Sequence, residues 1–115
     1  MLARIYTLKA SDNFKRIEKE GELIQSESFG LAYLKRGDGK FSKFGFIVST
    51  KISKEAVARH RIVRALSEAV RYLLTDIVPG YNVVFLGKPI ALKKSTDVLM
   101  HEVLPALAKA KLLKK

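Results

Sequence analysis

The clearest hydrophobic pattern in the chain is the helical one of residues 54–74. Apolar side chains recur there every three or four positions, so at about 100° per residue they fall within one arc of a helix. The members of this arc are Ile62, Leu66, Ala69, Val70 and Leu73. A second arc holds His60, Arg64, Ser67 and Arg71. The pattern therefore predicts a long amphipathic helix with one side facing the core and one polar stripe.

Alternating patterns on either side of this helix predict strands. Residues 22–36 and residues 43–50 both alternate, and the glycine-rich turn at 37–39 separates them, so we expect these two runs to pair antiparallel. One side of the first run carries Phe29, Leu31 and Tyr33. Residues 81–87 form a short continuous apolar run, which is typical of a buried central strand.

Shorter helices are predicted near both ends of the chain. The first covers residues 12–20, with Ser11 as its N-cap and Gly21 as its end. The second begins after Ser95 and runs to about residue 112. Proline lacks the amide hydrogen that a helix interior needs, so Pro105 predicts a kink or break near residues 102–104.

The order of these elements predicts the fold class. A helix, two or three strands, a long helix, a strand and a helix favour an α/β (α+β) two-layer sandwich, with helices mainly on one face of a small mixed sheet. The length of 115 residues suits a single domain, residues 1–115. The lysine-rich residues 109–115 are expected to fray. The opposite face of the sheet then needs cover or a partner.

The charge of the chain indicates a binding function in addition to the predicted fold. Lysine and arginine number 22 against 11 acidic residues, which gives a formal net charge of +11. The excess is spread along the chain, and a polyanionic partner is the natural inference. No segment approaches the roughly 18 consecutive apolar residues of a membrane-spanning helix, and no signal peptide is apparent, so we expect a cytoplasmic protein.

The densest basic cluster lies in the long predicted helix. Arg59, Arg61 and Arg64 repel one another unless an anion lies against them, and the planar guanidinium fork suits phosphate oxygens, so we take the anion to be RNA. A solvated helix face is the alternative for Arg61 and Arg64. Arg59 falls in the apolar arc, where it either bonds strand-end carbonyls or meets RNA.

Protein-borne catalysis is not expected. The chain has no cysteine, which excludes disulfides, thiolate zinc sites and cysteine nucleophiles. The two histidines, His60 and His101, are far apart in the chain, so a protein-built metal site is not predicted. The carboxylates show no paired spacing suited to a two-metal nuclease. We therefore predict no catalytic residue and no metal ligand.

Several of these residues resemble the protein component of bacterial ribonuclease P. That family has a strand ending in Ser-x-Lys, followed by a long helix that opens with Arg-Asn-Arg. Here Ser49, Thr50 and Lys51 precede the helix, and residues 59–61 read Arg-His-Arg. The polar residues before Phe14, the helix end at Gly21 and the pair Lys88 and Pro89 match as well.

Four positions depart from the family pattern: His60 in place of asparagine, Val63 and Ser67 in place of basic residues, and Glu18 in place of an aromatic residue. Each lost cation would lower the salt dependence of binding by roughly 0.7 to 0.9 in log–log slope. We expect either a more weakly binding or divergent member of the family, or compensation by Lys15, Arg16, Lys93 and Lys94.

The resemblance implies a fold like domain 2 of ribosomal protein S5, with a left-handed crossover between parallel strands. It also implies a division of labour in which the RNA subunit hydrolyses precursor tRNA with bound Mg²⁺, while the protein binds that RNA and the 5′ leader. The Mg²⁺ would be held by the RNA and the substrate. The expected RNA-binding residues are Lys51, Arg59, His60, Arg61, Arg64 and Arg71. The expected leader cleft consists of Phe14, Tyr33 and Phe46.

Other classes of function remain open at this point. A basic ribosomal or tRNA-binding accessory protein would use the same surface without any role in processing. A small autonomous nuclease would cleave precursor tRNA without an RNA subunit. A DNA-binding helix-turn-helix protein fits poorly, because a strand precedes the basic helix.

Overall fold

The computed structural model describes residues 2–8 and 14–114, which form three α-helices and four strands within those ranges. The helices are α1 (Phe14–Glu20), α2 (Ala56–Leu73) and α3 (Thr96–Lys109). The strands are β1 (Glu22–Gln25), β2 (Phe29–Lys35), β3 (Lys43–Ile47) and β4 (Tyr81–Gly87). Short 3-10 helices lie at Arg4–Tyr6, Leu74–Asp76 and Pro89–Lys93. The expected Ser11 cap and residues 12 and 13 lie outside the described residues.

The four strands form one mixed sheet in the order β1-β2-β4-β3. β1 and β2 form an antiparallel hairpin, β2 and β4 pair antiparallel, and β3 and β4 pair parallel with α2 as their crossover. The mixed sheet is therefore confirmed, while the left hand of the crossover stays a prediction.

The expected antiparallel pairing of residues 22–36 with residues 43–50 is wrong. The first run divides into β1 and β2 at a turn in which the Ser26 amide donates to the Phe29 carbonyl. β4 then occupies the place between β2 and β3. The reason is burial: Val83, Val84 and Phe85 are all fully buried, so β4 is apolar on both faces and takes an inner position.

Helices cover the two faces of the sheet unequally, as the sequence predicts. α2 and α3 pack together over one face, where Phe29, Leu31, Phe44, Val83 and Phe85 form the main core. α1 covers only part of the other face, where Ile17 packs against Ala32 and Val84. The architecture is thus the predicted α/β sandwich with helices mainly on one face.

α2 has the predicted core-facing arc, with one exception in its polar stripe. Ile62, Leu66 and Val70 are buried. Ser67 was expected on the polar side, but it is only 2% exposed and its hydroxyl donates to the Arg64 carbonyl. This expectation is wrong because Ser67 faces a small cavity that it shares with Leu8 of the N-terminal segment and Phe14 at the start of α1. The helical periodicity of α2 alone does not reveal these neighbours.

Gly21 ends α1 for a steric reason. A Cβ atom at this position would lie 2.3 Å from the carbonyl oxygen of Tyr33 and 2.6 Å from that of Ile17. Only glycine allows the chain to pass so close to β2, and its amide still donates to the Ile17 carbonyl. The predicted end of the first helix is therefore confirmed.

α3 begins as predicted but ends differently. The hydroxyl of Ser95 caps the helix by accepting from the Val98 amide. The helix then continues through Pro105 without a break, because Val103 and Leu107 are fully buried and hold both halves against the core. The predicted break is wrong, while the alternative of a kink near Pro105 stays a prediction.

The C-terminal segment is docked, so the expected fraying is wrong for the described residues up to 114. Leu112 is 1% exposed, and its carbonyl accepts from the Val78 amide at 2.8 Å. The Lys114 amide donates to the Asp76 carbonyl. Lys111 adopts φ of 60°, which turns the chain back toward the core after α3.

Candidate nucleic-acid interface

An open groove between α2 and α3 holds the central basic motif. Its volume is about 470 Å³, and His60, Arg61 and Arg64 line it from α2. Thr96 and Met100 form the opposite wall from α3. Val57, Ala65 and Glu68 complete the lining, so Glu68 is the single acidic side chain among these residues. The groove combines an excess of cations with a shape that is open to solvent.

Arg61 is an internal connection between two elements. Its guanidinium donates to the carbonyls of Lys94 at 2.9 Å, Leu92 at 3.1 Å and Ala91 at 3.4 Å. These carbonyls belong to the 89–94 segment that leads into α3. Arg61 therefore holds α3 against α2 and shapes the groove, while its charge still contributes to the potential there.

His60 and Arg64 are the exposed members of the motif. Both lie in the same groove, one helical turn apart. Within the part of the chain that the structure describes, their side chains make no hydrogen bond or ion pair. Arg64 keeps a full set of guanidinium donors for an incoming phosphate.

The remaining cations of the motif differ in their partners. Arg59 is half-buried and donates to the Ser53 carbonyl at 2.9 Å, in the loop that follows β3. This contact matches the strut alternative without excluding RNA at its other donors. Lys51 is exposed in the turn after β3.

Arg71 is committed to an acidic neighbour. Its guanidinium holds Glu68 through two hydrogen bonds of 2.8 and 3.1 Å and lies over the Tyr72 ring. The hydrogen bond from Arg71 lowers the pKa of Glu68 to about 2. Glu68 is therefore ionised at neutral pH, so the pair carries no net charge and RNA would have to compete with the carboxylate for Arg71.

The cations expected to compensate for the family departures also differ. Lys15 and Lys93 are exposed. Arg16 pairs with Glu20 on α1, and Lys94 pairs with Glu27 in the β1–β2 turn. Two of the four cations are thus partly neutralised by neighbours.

The structure brings two of the three expected cleft aromatics together. Phe14 and Phe46 line one cavity of about 220 Å³ at the β3 edge of the sheet. The Phe14 ring lies directly on the backbone of Gly45, where a Cβ would be 2.7 Å from its Cε1 atom. Leu8, Val63 and the buried Ser67 line the same cavity.

Tyr33 lies elsewhere. It is on β2, two strands away from β3, and its ring lies 6.3 Å from that of Tyr81. Its hydroxyl donates to Glu22. Burial raises the pKa of Tyr33, and the hydrogen bond to Glu22 raises it further. Phe46 for its part stacks on Phe85 of the core, with ring centroids 5.3 Å apart.

Sequence reasoning missed the contribution of α3 to the groove. Thr96 and Met100 carry no charge, and they come to the basic helix only through the packing of α2 on α3. It also missed Arg36, whose guanidinium binds five groups around the loop after β2. The signal available for Arg36 was its place next to a glycine-rich turn.

No metal centre is visible in the described ranges. There, no three side chains of the His, Cys, Asp or Glu type lie together in a way that could hold an ion. Nor does any helix in those ranges have the length and apolar character needed to cross a membrane.

Fold and groove together define a small α/β protein with a cationic surface between two helices. The family model described as Ribonuclease P matches residues 2–111 of the chain. The ribonuclease P protein component of Carboxydothermus hydrogenoformans is 34% identical, with 84% of each chain covered. That of Rippkaea orientalis is 29% identical over 97% of this chain and 91% of its own length.

Solved structures show the same fold. The Staphylococcus aureus RNase P protein superposes with a TM-score of 0.86 at 23% identity, covering 95% of this chain and 98% of that one. The RNase P protein from Thermotoga maritima gives a TM-score of 0.79 at 23% identity, covering 90% and 96%.

The chain belongs to the ribonuclease P protein family. Its function is that of the family: it acts with an RNA partner, in a ribonucleoprotein, as a subunit of the endoribonuclease that processes the 5′ end of tRNA.

Proposed function

We propose that this chain binds the catalytic RNA of ribonuclease P through the α2–α3 groove and the 5′ leader of precursor tRNA through the cavity at the β3 edge. The observation that carries the first part is the groove itself. Arg61 is fixed by three carbonyls, while His60 and Arg64 beside it remain exposed. A fixed cation next to two free donors presents a preformed site to a phosphate backbone.

The leader part of the proposal is supported by the chemistry of the second cavity. Aromatic rings stack on bases without demanding a sequence, at roughly 1–3 kcal/mol per base. Phe14 and Phe46 line this cavity, and Lys15 and Arg16 are exposed on the same helix as Phe14. Tyr33 is not part of the proposed leader site, because it lies on β2, two strands away from β3.

The chemistry of cleavage is assigned to the RNA. A protein-built magnesium site does not fit the described residues, since they contain no cluster of three metal-binding side chains. We therefore place Mg²⁺ on the RNA and the substrate. We also propose that the complex acts in the cytoplasm. Reconstitution with a bacterial ribonuclease P RNA at low Mg²⁺ tests this: the protein should increase leader removal, and protein without RNA should leave the precursor intact.

Replacing Arg64 by glutamine tests the groove. One phosphate contact should be lost, so the affinity for the RNA subunit falls and its log–log salt slope decreases by roughly 0.7 to 0.9. Lys109→Gln, at the exposed end of α3, removes the same charge away from the groove and is the matched control. Equal changes in the two variants, measured by titration at several salt concentrations, would refute a phosphate contact at Arg64.

Replacing Phe14 by leucine tests the leader cavity. Leucine retains apolar bulk over Gly45 but removes the flat ring, so affinity for precursor tRNA should fall more than affinity for mature tRNA. Binding of both RNAs is measured under the same conditions. If the two affinities fall equally, Phe14 serves only the core.

A further inference from the structure

A further cavity lies at the end of α2 and is lined by residues that line neither the α2–α3 groove nor the leader cavity. Its volume is about 760 Å³, which is within the usual range for a small-ligand pocket of roughly 300–1,000 Å³. It opens where α2 ends, between Leu74, Ile77 and Pro79 on one side and the loop before β3 on the other. The α2–α3 groove runs along the first two thirds of α2, from Val57 to Glu68, whereas this cavity begins at Leu74, after the end of the helix.

An exposed aromatic ring forms one wall of this cavity. Phe41 is 61% exposed, and its ring meets that of Tyr6 edge-on, with centroids 5.3 Å apart. Phe41 is an exposed apolar group at the wall of a cavity, where its ring can contact a bound ligand. Tyr6 fixes one edge of the ring and leaves much of its surface open.

The loop that carries Phe41 is held in place by Arg36. The Arg36 guanidinium donates to the Phe41 carbonyl at 2.6 Å, to the Asn82 side chain at 2.7 Å and to the carboxylate of Asp38 at 3.0 Å. The Asp38 carboxylate also accepts from the Lys40 amide. The exposed ring is therefore held in position by a hydrogen-bond network.

The charges at the cavity select an anionic ligand. Lys40 and Lys114 belong to the lining, and none of the lining residues is acidic. Asp38, the nearest carboxylate on the loop, is already engaged by Arg36. An aromatic platform with two lysines at its edge is the combination that single-stranded nucleic acid binds, with the base on the ring and the phosphate near the cations.

The cavity adjoins the leader site, because neighbouring residues of β3 line the two: Phe44 lines the larger cavity, and Gly45 lines the smaller one. β3 is an edge strand, and the N-terminal segment pairs with it through Thr7 and Phe44. Tyr6 lines the large cavity, while Thr7 and Leu8 line the smaller one. From Phe46 to Phe41 the extended chain covers about 17 Å, at roughly 3.3 Å per residue.

We propose that this cavity binds an unpaired base of the precursor-tRNA leader, upstream of the part that lies at Phe14 and Phe46. The inference rests on the proposed leader site and extends it. At about 3.4 Å per stacked nucleotide, about five nucleotides separate the two sites. Only leaders longer than this reach Phe41.

The test compares two precursor tRNAs. One has a leader of about two nucleotides, which is too short to reach Phe41, and the other has a leader of about ten nucleotides, which is long enough to reach it. Full-length protein and its Phe41→Ser variant are titrated with both precursors. The variant should lose about fivefold or more in affinity for the long leader, the equivalent of one lost base stack, and nothing for the short one. Phe41→Trp should retain affinity, and Leu104→Ser, an exposed apolar residue of α3, is the control.

A second measurement addresses the lysines. Lys40→Gln combined with Lys114→Gln should lower the salt slope for the long leader by about 0.7 for each lost phosphate contact, with no change for the short leader. An unchanged slope with the long leader would overturn the assigned phosphate position and the proposal with it.

Other outcomes separate this proposal from the one on which it rests. If Phe14→Leu weakens binding of both leaders but Phe41→Ser weakens neither, the leader site stands and the extension fails. If the wild-type protein does not distinguish precursor from mature tRNA, both fail. A dimer in sedimentation experiments that Phe41→Ser abolishes would assign the cavity to a second copy of the chain and overturn the proposal.

Discussion

Glu102 ties the β1–β2 turn to α3 through one half-buried carboxylate. Its Oε2 atom accepts from the Ser26 hydroxyl and from the Ser28 amide, the latter at 2.8 Å. Burial by itself would raise the pKa of Glu102. The hydrogen bonds from Ser26 and Ser28 outweigh this effect, so the pKa lies below its ordinary value.

The pKa of Glu102 predicts a pH dependence of stability. A carboxylate whose pKa is lower in the folded chain stabilises the fold above its unfolded pKa of about 4.3, and this contribution is lost as the pH falls through the folded pKa. The free energy of unfolding of the wild type should thus exceed that of Glu102→Gln by a constant amount above about pH 5, and the difference should shrink below pH 4.

Urea denaturation across this pH range measures the effect. Asp97→Asn, which removes an exposed carboxylate from the same helix, is the control. A difference between wild type and Glu102→Gln that stays constant down to pH 3 would contradict the assigned role of the carboxylate.

At the scale of elements, the packing of α2 against α3 depends on Arg61, which the sequence analysis assigned to RNA binding. Arg61 donates to three carbonyls of the 89–94 segment, whose residues 89–93 form a short 3-10 helix. A charged donor to such carbonyls contributes about 1.5–3 kcal/mol for a hydrogen bond of this kind. Within the predicted RNA-binding motif, Arg61 therefore has a structural role, while His60 and Arg64 are exposed.

Replacing Arg61 and Arg64 separately by methionine tests this division. Arg61→Met should lower the free energy of unfolding by about 2 kcal/mol, because buried carbonyls lose their donor. Arg64→Met should change it by less than about 0.5 kcal/mol, because its side chain is exposed. Urea midpoints of the two variants give the comparison, and similar stabilities would show that Arg61 does not act as a strut.

At the scale of the whole molecule, the C-terminal segment, residues 110–114, packs against the core and completes it. After α3, Leu112 enters the main core and the chain pairs with residues 76–78, so the middle of the α2–β4 connection is held by residues distant in sequence. The same segment also forms part of the cavity at the end of α2, since Lys114 lines it.

Leu112→Ala and Leu113→Ala form a matched pair for this closure. Leu112 is fully buried, so its truncation should cost about 2–5 kcal/mol, while the half-buried Leu113 should cost clearly less. Both are measured by urea denaturation. Two small and equal costs would mean that the segment frays in solution.

The sequence by itself determined those features that depend on local pattern. The helical periodicity of residues 54–74 located α2, the turn chemistry at Gly21 and Ser95 located helix ends, and the motif at Arg59 to Arg61 indicated the family. The alternation around Phe29 and Leu31 placed the right side chains in the core. Each of these follows from neighbours within a few positions, where propensity and periodicity act directly.

Only the tertiary structure decided what depends on distant partners. Strand order was decided by the insertion of β4 between β2 and β3, which lie closer to each other in sequence than to β4. Packing on α3 made Arg61 a strut, and Ser67 is buried beside a cavity that it shares with the N-terminal segment and Phe14. The separation of Tyr33 from Phe14 and Phe46 followed from the same strand order. A side chain's role is set by the groups that fold against it, and these come from parts of the chain whose positions no local pattern specifies.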